Sequence, residues 1–145
     1  MSAEPGCLFC QIVSGELDAV VVHEDDDTIA FLDHRPLFEG HTLLIPRDHF
    51  ETLADLPAGL VEPVFGAAQM LSGAVQGAMD SVGTFVALNN KVSQSVPHLH
   101  VHIVPRRPKD GLRGFFWPRH KYASHERMEE VGGRVAHAAK QAGEK

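Results

Sequence analysis

Three histidines alternate with apolar residues in one short segment of this chain of 145 residues. They are His98, His100 and His102, and the residues between and after them favour strands. A strand directs successive side chains to opposite faces, so the three imidazoles share one face and the intervening apolar side chains share the other. We expect that second face to pack on the core, through Leu99, Val101 and Ile103.

A strand face with three imidazoles predicts a functional site rather than an ordinary solvated surface. Imidazole ionises near neutral pH, and it can serve as a nucleophile, as an acid or base, or as a metal ligand. The alternative interpretation is a polar face that is rich in histidine by chance, because the chain contains ten histidines. The strict alternation and the polar segment just before the strand favour the site.

Length, charge and hydropathy narrow the class of protein. The length predicts one domain over residues 1–145, with a flexible lead at 1–6 and a C-terminal helix and tail at 124–145. A net charge of -6 argues against a nucleic-acid-binding surface, which needs a basic stripe. No apolar run is long enough to span a membrane, and the N-terminus lacks the basic and apolar regions of a secretory signal. We therefore expect a cytoplasmic protein with no nucleic-acid or membrane partner.

The apolar patterning predicts an α+β domain. Short apolar runs bounded by turn residues predict four strands before the one that carries the histidines, at 20–24, 28–32, 41–45 and 83–88. Helical spacing predicts a brief helical turn at 7–14 and two main helices, at 60–78 and 124–141. The last helix would pack one face through Met128, Val131, Val135 and Ala138. Hairpin-like connections favour a five-stranded antiparallel sheet with two main helices.

Several segments of the chain resemble the histidine triad (HIT) superfamily of nucleotidyl hydrolases and transferases. The strongest is the alternating run His98 to Val104. The polar segment before it resembles the family's Gly-Gln-Ser/Thr loop, with Ser93 in place of the glycine. Further similar segments follow in family order at 7–12, 30–33 and 40–49. The resemblance covers residues 7–108 and is closest to the Hint-like branch. It implies a HIT-like fold that is usually paired into a homodimer.

The middle histidine is the candidate nucleophile. A neutral imidazole nitrogen can attack phosphorus and form a phosphohistidine, which divides one difficult displacement into two easier ones. The resemblance implies that His100 becomes nucleotidylated and that His102 supports it by hydrogen bonds. It also implies that Gln94 and Ser95 contact the phosphate and the leaving group, for which amide and hydroxyl groups are suited.

The resemblance also outlines the rest of a purine nucleotide site. Asn89 matches a phosphate contact by its strand position, and the short loop after it leaves Asn90 as the alternative. Asp33 would take the ribose hydroxyls, because a carboxylate accepts two hydrogen bonds at once. The residues that match the apolar walls around the base are Leu8, Phe9, Ile12, Phe31 and Leu32. Without the resemblance, each of these would be interpreted as an ordinary core or turn residue.

Two cysteines near the N-terminus suggest a metal site. Cys7 and Cys10 have a spacing that is common in zinc sites, although a single such pair also fits a redox couple or two buried thiols. His49 and His98 could complete a tetrahedral set, and the resemblance matches them to a zinc-binding subset of the family. We expect a structural zinc ion that anchors the N-terminal segment to the sheet.

Together these features predict a nucleotidyl hydrolase that cleaves a purine nucleoside 5′-monophosphate from an amine, acyl or nucleotide leaving group. The first alternative is a dinucleoside polyphosphate hydrolase or phosphorylase. The basic, aromatic segment Arg106 to Arg119 could serve its second nucleotide or a dimer contact, and it fits an ordinary packed connector equally well. The second alternative is a non-catalytic module that binds nucleotide or zinc, and the intact nucleophile position argues against it. The expected homodimer would place the helix at 60–78 and the fourth strand near its two-fold axis.

Overall fold

The sheet of this protein has five antiparallel strands in the order β1-β2-β3-β5-β4. The computed structural model describes residues 3–113 and 119–143. The elements, with a short 3-10 turn at Leu53–Asp55, are α1 (Leu8–Ser14), β1 (Val21–Glu24), β2 (Thr28–Leu32), β3 (Thr42–Pro46), α2 (Ala58–Ala78), β4 (Gly83–Ala87), β5 (Val101–Arg106) and α3 (His125–Gly143). The predicted α+β class and five-stranded antiparallel sheet are confirmed, with α1 as a short third helix.

The chain divides into two compact units, one that ends at Asp110 and one that begins at Gly111. The first holds the whole sheet with α1 and α2, and the second holds α3. The sequence predicts that one face of α3 packs through apolar residues, but no described residue of α3 is buried. Part of the basic, aromatic segment, including Trp117, lies outside the described residues. Within the described ranges, no helix combines the length and the apolar character that crossing a bilayer requires.

One face of the sheet is covered by α2. Apolar side chains of this helix pack there against β2, β3, β5 and the segment that leads into β5, in a cluster that includes Val64, Leu71, Val75, Ala30, Leu44, Leu99, Val101 and Ile103. The last three of these are at most 1% exposed. The expectation that the apolar face of the histidine segment packs on the core is therefore confirmed.

The opposite face of the sheet is covered by α1 and carries the histidines. A second cluster of buried residues lies there, formed by Cys7, Phe9, Cys10, Ile29, Phe31, Leu43 and Ile45. His98 is fully buried and His100 is 3% exposed, so the imidazole face is also an interior surface. The helix begins where the side chain of Cys7 accepts the backbone N–H of Cys10, and it ends at Gly15 in a left-handed conformation.

The paired part of β5 begins later than the alternation predicts. The antiparallel register pairs Leu44 of β3 with Val101, and its continuation places Pro46 opposite Leu99. Proline has no N–H to donate, so the ladder ends at that point. The N–H of Leu99 donates instead to the carbonyl of Phe50 at 2.7 Å. The first two histidines of the triad therefore lie just before the paired part of β5, with their alternation intact.

The two edges of the sheet, β1 and β4, differ in regularity. The register of β1 against β2 shifts between Val21 and His23, so this edge is irregular. In contrast, β4 pairs with β5 without interruption. Val86 in β4 is 44% exposed, and Val82 just before it is 70% exposed. A regular edge that carries exposed apolar side chains is a surface on which a further strand can pair.

Gly40 gives a test of the packing before β3. We predict that Gly40→Ala lowers the free energy of unfolding by roughly 2 kcal/mol, because a Cβ is unfavourable at a left-handed φ and needs space. The φ is +95°, and a Cβ would lie 2.5 Å from Cγ of Met79. Gly15→Ala is the matched control, since Gly15 has a φ of +85° with no atom within 4 Å of the added Cβ. Urea denaturation measures both, and an equal loss would show that the Met79 contact contributes nothing.

Candidate functional site

A pocket of about 780 Å³ lies on the face of the sheet that α1 covers. This volume suits a small organic ligand. Residues predicted to act on substrate or bind it line the pocket together, namely Leu8, Phe9, Ile12, Phe31, Leu32, Asp33, Ser95, His100 and His102. They come from α1, β2 and the residue that follows it, the loop before β5 and the histidine segment. Residues far apart in the chain are thus brought to one cavity.

The candidate nucleophile His100 is oriented by the backbone. Its Nδ1 lies 2.8 Å from the carbonyl oxygen of His98, and its side chain is almost wholly buried. A carbonyl oxygen only accepts, so Nδ1 of a neutral imidazole carries the proton there. The lone pair of His100 is then on Nε2, and a lone pair is what attack on phosphorus requires.

A second hydrogen-bonded chain reaches the pocket through His41. The N–H of Leu37 donates to Nδ1 of His41 at 3.1 Å, so the proton of neutral His41 lies on Nε2. That nitrogen donates to Nδ1 of His102 across 2.9 Å, which leaves the proton of neutral His102 on its own Nε2. The ring centroids of His100 and His102 are 5.0 Å apart. A hydrogen-bond donor therefore lies beside the candidate nucleophile.

Burial keeps these imidazoles neutral near pH 7. It lowers the pKa of His41 and of His100, and burial with the neighbouring imidazoles lowers the pKa of His102 to about 4. The carboxylate of Asp33, which lies 3.8 Å from Nε2 of His41, acts in the opposite direction and raises the pKa of these groups. At neutral pH, His100 thus keeps its lone pair and His102 keeps a single proton.

Ser95 and Gln94, the two residues of the loop before β5 that are predicted to contact the phosphate and the leaving group, point to different places. Ser95 lines the pocket. Gln94 does not line it, because Nε2 donates to the carbonyl of Glu51 at 2.7 Å and Oε1 accepts the N–H of Lys91 at 2.8 Å. The side chain of Gln94 thus holds the loop against the segment that follows β3.

The asparagines after β4 also bond within or beside this loop. Asn89 donates from Nδ2 to the carbonyl of Ser93 at 3.2 Å, and Oδ1 of Asn90 accepts the N–H of Leu53 at 2.9 Å. Ser93 has a φ of +62°, in the left-handed region that favours glycine. This conformation gives a physical reason for the glycine that the family pattern has at the same position.

Two cysteines and two histidines meet at the start of α1. The ligand atoms of Cys7, Cys10, His49 and His98 all lie within 4.8 Å of one another. The Sγ of Cys10 is 3.4 Å from Nδ1 of His49 and 3.5 Å from Nδ1 of His98, and the Sγ of Cys7 is 3.5 Å from the latter. Sulfur and nitrogen ligands of a tetrahedral zinc ion are separated by about 3.5 Å, given bond lengths of about 2.3 and 2.0 Å. The three sulfur-to-nitrogen distances given above therefore already match those of a tetrahedral zinc site.

Hydrogen bonding and burial also fit this cluster to a metal ion. The Nε2 of His98 donates to the carbonyl of Pro46 at 2.8 Å, which leaves the lone pair of Nδ1 facing the sulfurs. Burial raises the pKa of the Cys10 thiol, so a thiolate at this position needs a nearby cation. The arrangement can therefore hold an ion that prefers sulfur and nitrogen ligands.

Asp33, His41 and His102 form another group with closely spaced ligand atoms. This group fits a metal ion less well than the cysteine cluster does. The N–H of Leu37 occupies Nδ1 of His41, so Nε2 carries a proton where a metal would need a lone pair. The cysteine cluster can thus offer lone pairs to a cation, whereas the group of Asp33, His41 and His102 orients a hydrogen-bond donor toward the pocket.

The chain belongs to the HIT domain family, which matches residues 14–109. Adenylylsulfatase HINT3 of Arabidopsis thaliana is 35% identical over 108 residues, which are 73% of this chain and 55% of that protein. Adenosine 5′-monophosphoramidase HNT1 of Candida albicans is 28% identical over 124 residues, which are 81% of this chain and 82% of that protein.

Solved structures of the same family share the fold. A HIT family protein from Bacillus subtilis is 34% identical, with a TM-score of 0.82 over 90% of this chain and 95% of that chain. A zinc-bound histidine triad family protein from Mycobacterium smegmatis is 32% identical, with a TM-score of 0.70 over 94% of this chain and 97% of that chain. The predicted membership of the histidine triad superfamily is therefore confirmed.

His41 is the site residue whose role the sequence reasoning missed. It lies in a segment that resembles the family, but it is 61 positions from His102 and outside the alternating pattern. One signal for it is present in the sequence. His41 directly precedes the apolar run of β3 and is buried with that strand, and a buried imidazole needs hydrogen-bond partners.

The buried imidazoles predict how stability depends on pH. The pKa of His102 is about 4 in the folded protein against 6.5 ordinarily, so the unfolded chain binds more protons between these values. The stability associated with neutral His102 is complete above pH 6.5 and is lost as the pH falls toward 4. We expect His102→Gln to reduce the slope of unfolding free energy against pH in this range. Urea denaturation at a series of pH values measures it, and a slope equal to that of the wild type would contradict the assignment.

Proposed function

We propose that this protein is a nucleotidyl hydrolase. It releases a purine nucleoside 5′-monophosphate from an amine, acyl or nucleotide leaving group through a phosphohistidine intermediate on His100. The observation that carries the proposal is the bond from Nδ1 of His100 to the carbonyl of His98, which leaves an unprotonated Nε2 in a ligand-sized pocket. The relatives named as an adenylylsulfatase and a phosphoramidase support the reaction class.

The first step transfers the nucleotidyl group to the protein. Nε2 of His100 attacks the α-phosphorus, a P–N bond forms, and the bond from phosphorus to the leaving group breaks. Nε2 of His102, which the chain from Leu37 through His41 prepares as a donor, donates a hydrogen bond to the leaving group and stabilises its developing charge, and the leaving group takes its proton from solvent water. Because burial lowers the pKa of His102 to about 4, this imidazole is neutral near pH 7 and acts through a hydrogen bond, without losing its one remaining proton.

The second step returns the protein to its starting state. Water attacks the same phosphorus, the P–N bond to His100 breaks, and the nucleoside monophosphate leaves. His102 again donates its Nε2 hydrogen bond to the phosphoryl group, and the attacking water releases its proton to the solvent. The proton that the solvent supplies in the first step is thereby returned in the second, and both imidazoles end in the protonation state in which they began.

Substrate binding follows from the lining of the pocket. The carboxylate of Asp33 is oriented by the N–H of Arg35, which donates to Oδ1 at 2.9 Å, and we assign it to the ribose hydroxyls. Phe9 and Phe31 meet edge to face with centroids 5.4 Å apart, and with Leu8 and Ile12 we assign them to the purine. We assign Ser95 to the phosphate, and Gln94 and Asn89 to contacts that require the loop to exchange its present hydrogen bonds.

A substrate panel tests the reaction class. Metal-replete protein is incubated with an adenosine phosphoramidate, an acyl adenylate, adenylyl sulfate and a dinucleoside polyphosphate, and release of nucleoside monophosphate is followed. Turnover of at least one of them is expected, and the absence of any release would refute the hydrolase. A rate that depends on added inorganic phosphate would instead identify a phosphorylase. Nucleotide binding without turnover would identify a non-catalytic module.

Replacing the nucleophile should abolish turnover. We predict that His100→Ala reduces the rate at least about a thousandfold, because no neighbouring atom can replace the attacking nitrogen. Binding of adenosine monophosphate should persist, as measured by calorimetry, since Asp33 and the apolar wall remain. His120→Ala, an exposed histidine outside the pocket, is the control. A His100→Ala protein that kept a tenth of the wild-type rate would exclude this residue as the nucleophile.

We also propose that the cysteine and histidine cluster holds one structural zinc ion. The tetrahedral spacing of its ligand atoms supports this, as does the zinc-bound relative from Mycobacterium smegmatis. When bound, the ion would cross-link the start of α1 to the sheet.

Metal analysis provides the test of this site. We predict about one zinc ion per chain in protein purified without chelators, and its loss in Cys10→Ala with a lower melting temperature, because that change removes a ligand. Ser14→Ala, at the other end of α1 and outside the cluster, should keep the metal. Zinc content that is unaffected by replacing both cysteines would disprove the site.

We propose a homodimer that pairs across α2 and β4. Exposed apolar side chains on the two elements support this surface, among them Val61, Phe65, Met70 and Val86. Light scattering should give twice the chain mass of 15.8 kDa, and Val86→Lys should shift the protein toward the monomer. Val21→Lys is the matched control, since Val21 is equally exposed on the other edge strand. A wild-type protein of monomer mass at micromolar concentration would contradict the proposal.

A further inference from the structure

We propose that occupancy of the metal centre controls the affinity of the pocket for nucleotide, with Phe9 as the positioning residue that couples the two sites. The inference rests on the nucleotidyl hydrolase function proposed above. It deepens that function, because it makes the metal centre a determinant of substrate binding and not a distant cross-link.

The first argument is the covalent arrangement of α1. Leu8 and Phe9 lie between the two cysteines, and both line the pocket. The thiol of Cys7 also caps the helix by accepting the N–H of Cys10 at 3.4 Å. The two candidate metal ligands therefore bracket two residues of the pocket wall, within a single helical turn.

The second argument is the position of the Phe9 ring. Its centroid is 5.1 Å from that of His100, with the two planes at 86°, and 6.0 Å from that of His98. Phe9 is also only 7% exposed. The ring thus contacts both the candidate nucleophile and a candidate metal ligand, and a shift of α1 would change the wall beside the reacting nitrogen.

The third argument is that α1 cannot hold its own position. It has seven residues, and isolated helices of this length are unstable in water. Its location therefore depends on tertiary anchors. The cysteines at its start face His49 and His98, which follow β3 and precede β5, and they are anchors on the sheet. A metal ion held by all four would fix Leu8 and Phe9 in the orientation that forms the pocket.

Without the metal, only a fraction of the molecules would hold the wall in place. The apparent dissociation constant of a nucleotide rises by the inverse of that fraction. We expect removal of zinc to weaken binding of adenosine monophosphate about tenfold, in the usual range of coupling between sites. By linkage, adenosine monophosphate must tighten zinc binding by the same factor.

Calorimetry and chelator competition test both directions. The dissociation constant of adenosine monophosphate is measured with zinc-loaded and zinc-stripped protein. The affinity for zinc is measured with and without the nucleotide. Circular dichroism reports whether the stripped protein remains folded. Phe9→Leu should keep one zinc ion per chain, because no ligand is lost, and should bind the nucleotide with nearly the same affinity whether or not zinc is present. Val13→Ala, also on α1 but not in the pocket lining, should keep the coupling.

The outcomes separate this inference from the proposed function. An affinity for adenosine monophosphate that is indifferent to zinc overturns the coupling, even if the loaded protein hydrolyses the phosphoramidate. Coupling that persists unchanged in Phe9→Leu removes Phe9 as its carrier. Unfolding of the whole sheet on zinc removal also overturns it, because the metal would then stabilise the fold in general. Absence of both turnover and nucleotide binding in loaded protein overturns the function and the coupling together.

Discussion

The site depends on one fully buried imidazole, that of His98. Its Nε2 donates to the carbonyl of Pro46, its Nδ1 faces two cysteine sulfurs, and its backbone carbonyl accepts Nδ1 of His100. An imidazole buried this deeply must satisfy both ring nitrogens, since an unpaired polar group in the interior costs about 1–3 kcal/mol. The same residue therefore joins the end of β3, the start of α1 and the candidate nucleophile.

The two remaining histidines of the segment, His100 and His102, carry their protons on different ring nitrogens although their surroundings are similar. Both are buried enough to have lowered pKa values, so burial alone does not distinguish them. The difference comes from the backbone group at the end of each hydrogen-bonded chain. A carbonyl fixes the proton of His100 on Nδ1, whereas the N–H of Leu37, acting through His41, leaves the proton of His102 on Nε2. Backbone polarity, which has no sequence signature of its own, thus separates a lone pair from a donor.

The features that could be predicted from the sequence are those that leave a pattern in neighbouring residues. The strand Thr28–Leu32 follows from a short apolar run, the two faces of the histidine segment follow from alternation, and the HIT-like fold follows from the resemblance. The late start of β5 could not be read from β5 itself, because it is caused by the missing N–H of Pro46 on a neighbouring strand. The hydrogen-bonded chain through His41 depends on the position of the Leu37 N–H, which no periodicity encodes. The left-handed φ of Ser93 likewise depends on the path of the folded loop before β5.

The contrast between the sheet's edges has a consequence for how copies of this chain can associate. An assembly that joins two β4 edges around a two-fold axis leaves a β1 strand at each outer end. There the register shift between Val21 and His23 disrupts the row of groups that another strand would pair with. A sheet that extends by its regular edge thus stops growing after one addition. In such an assembly the irregular β1 edges would disfavour the addition of further strands, and hence fibre formation, a protection that a sheet with two regular edges would lack.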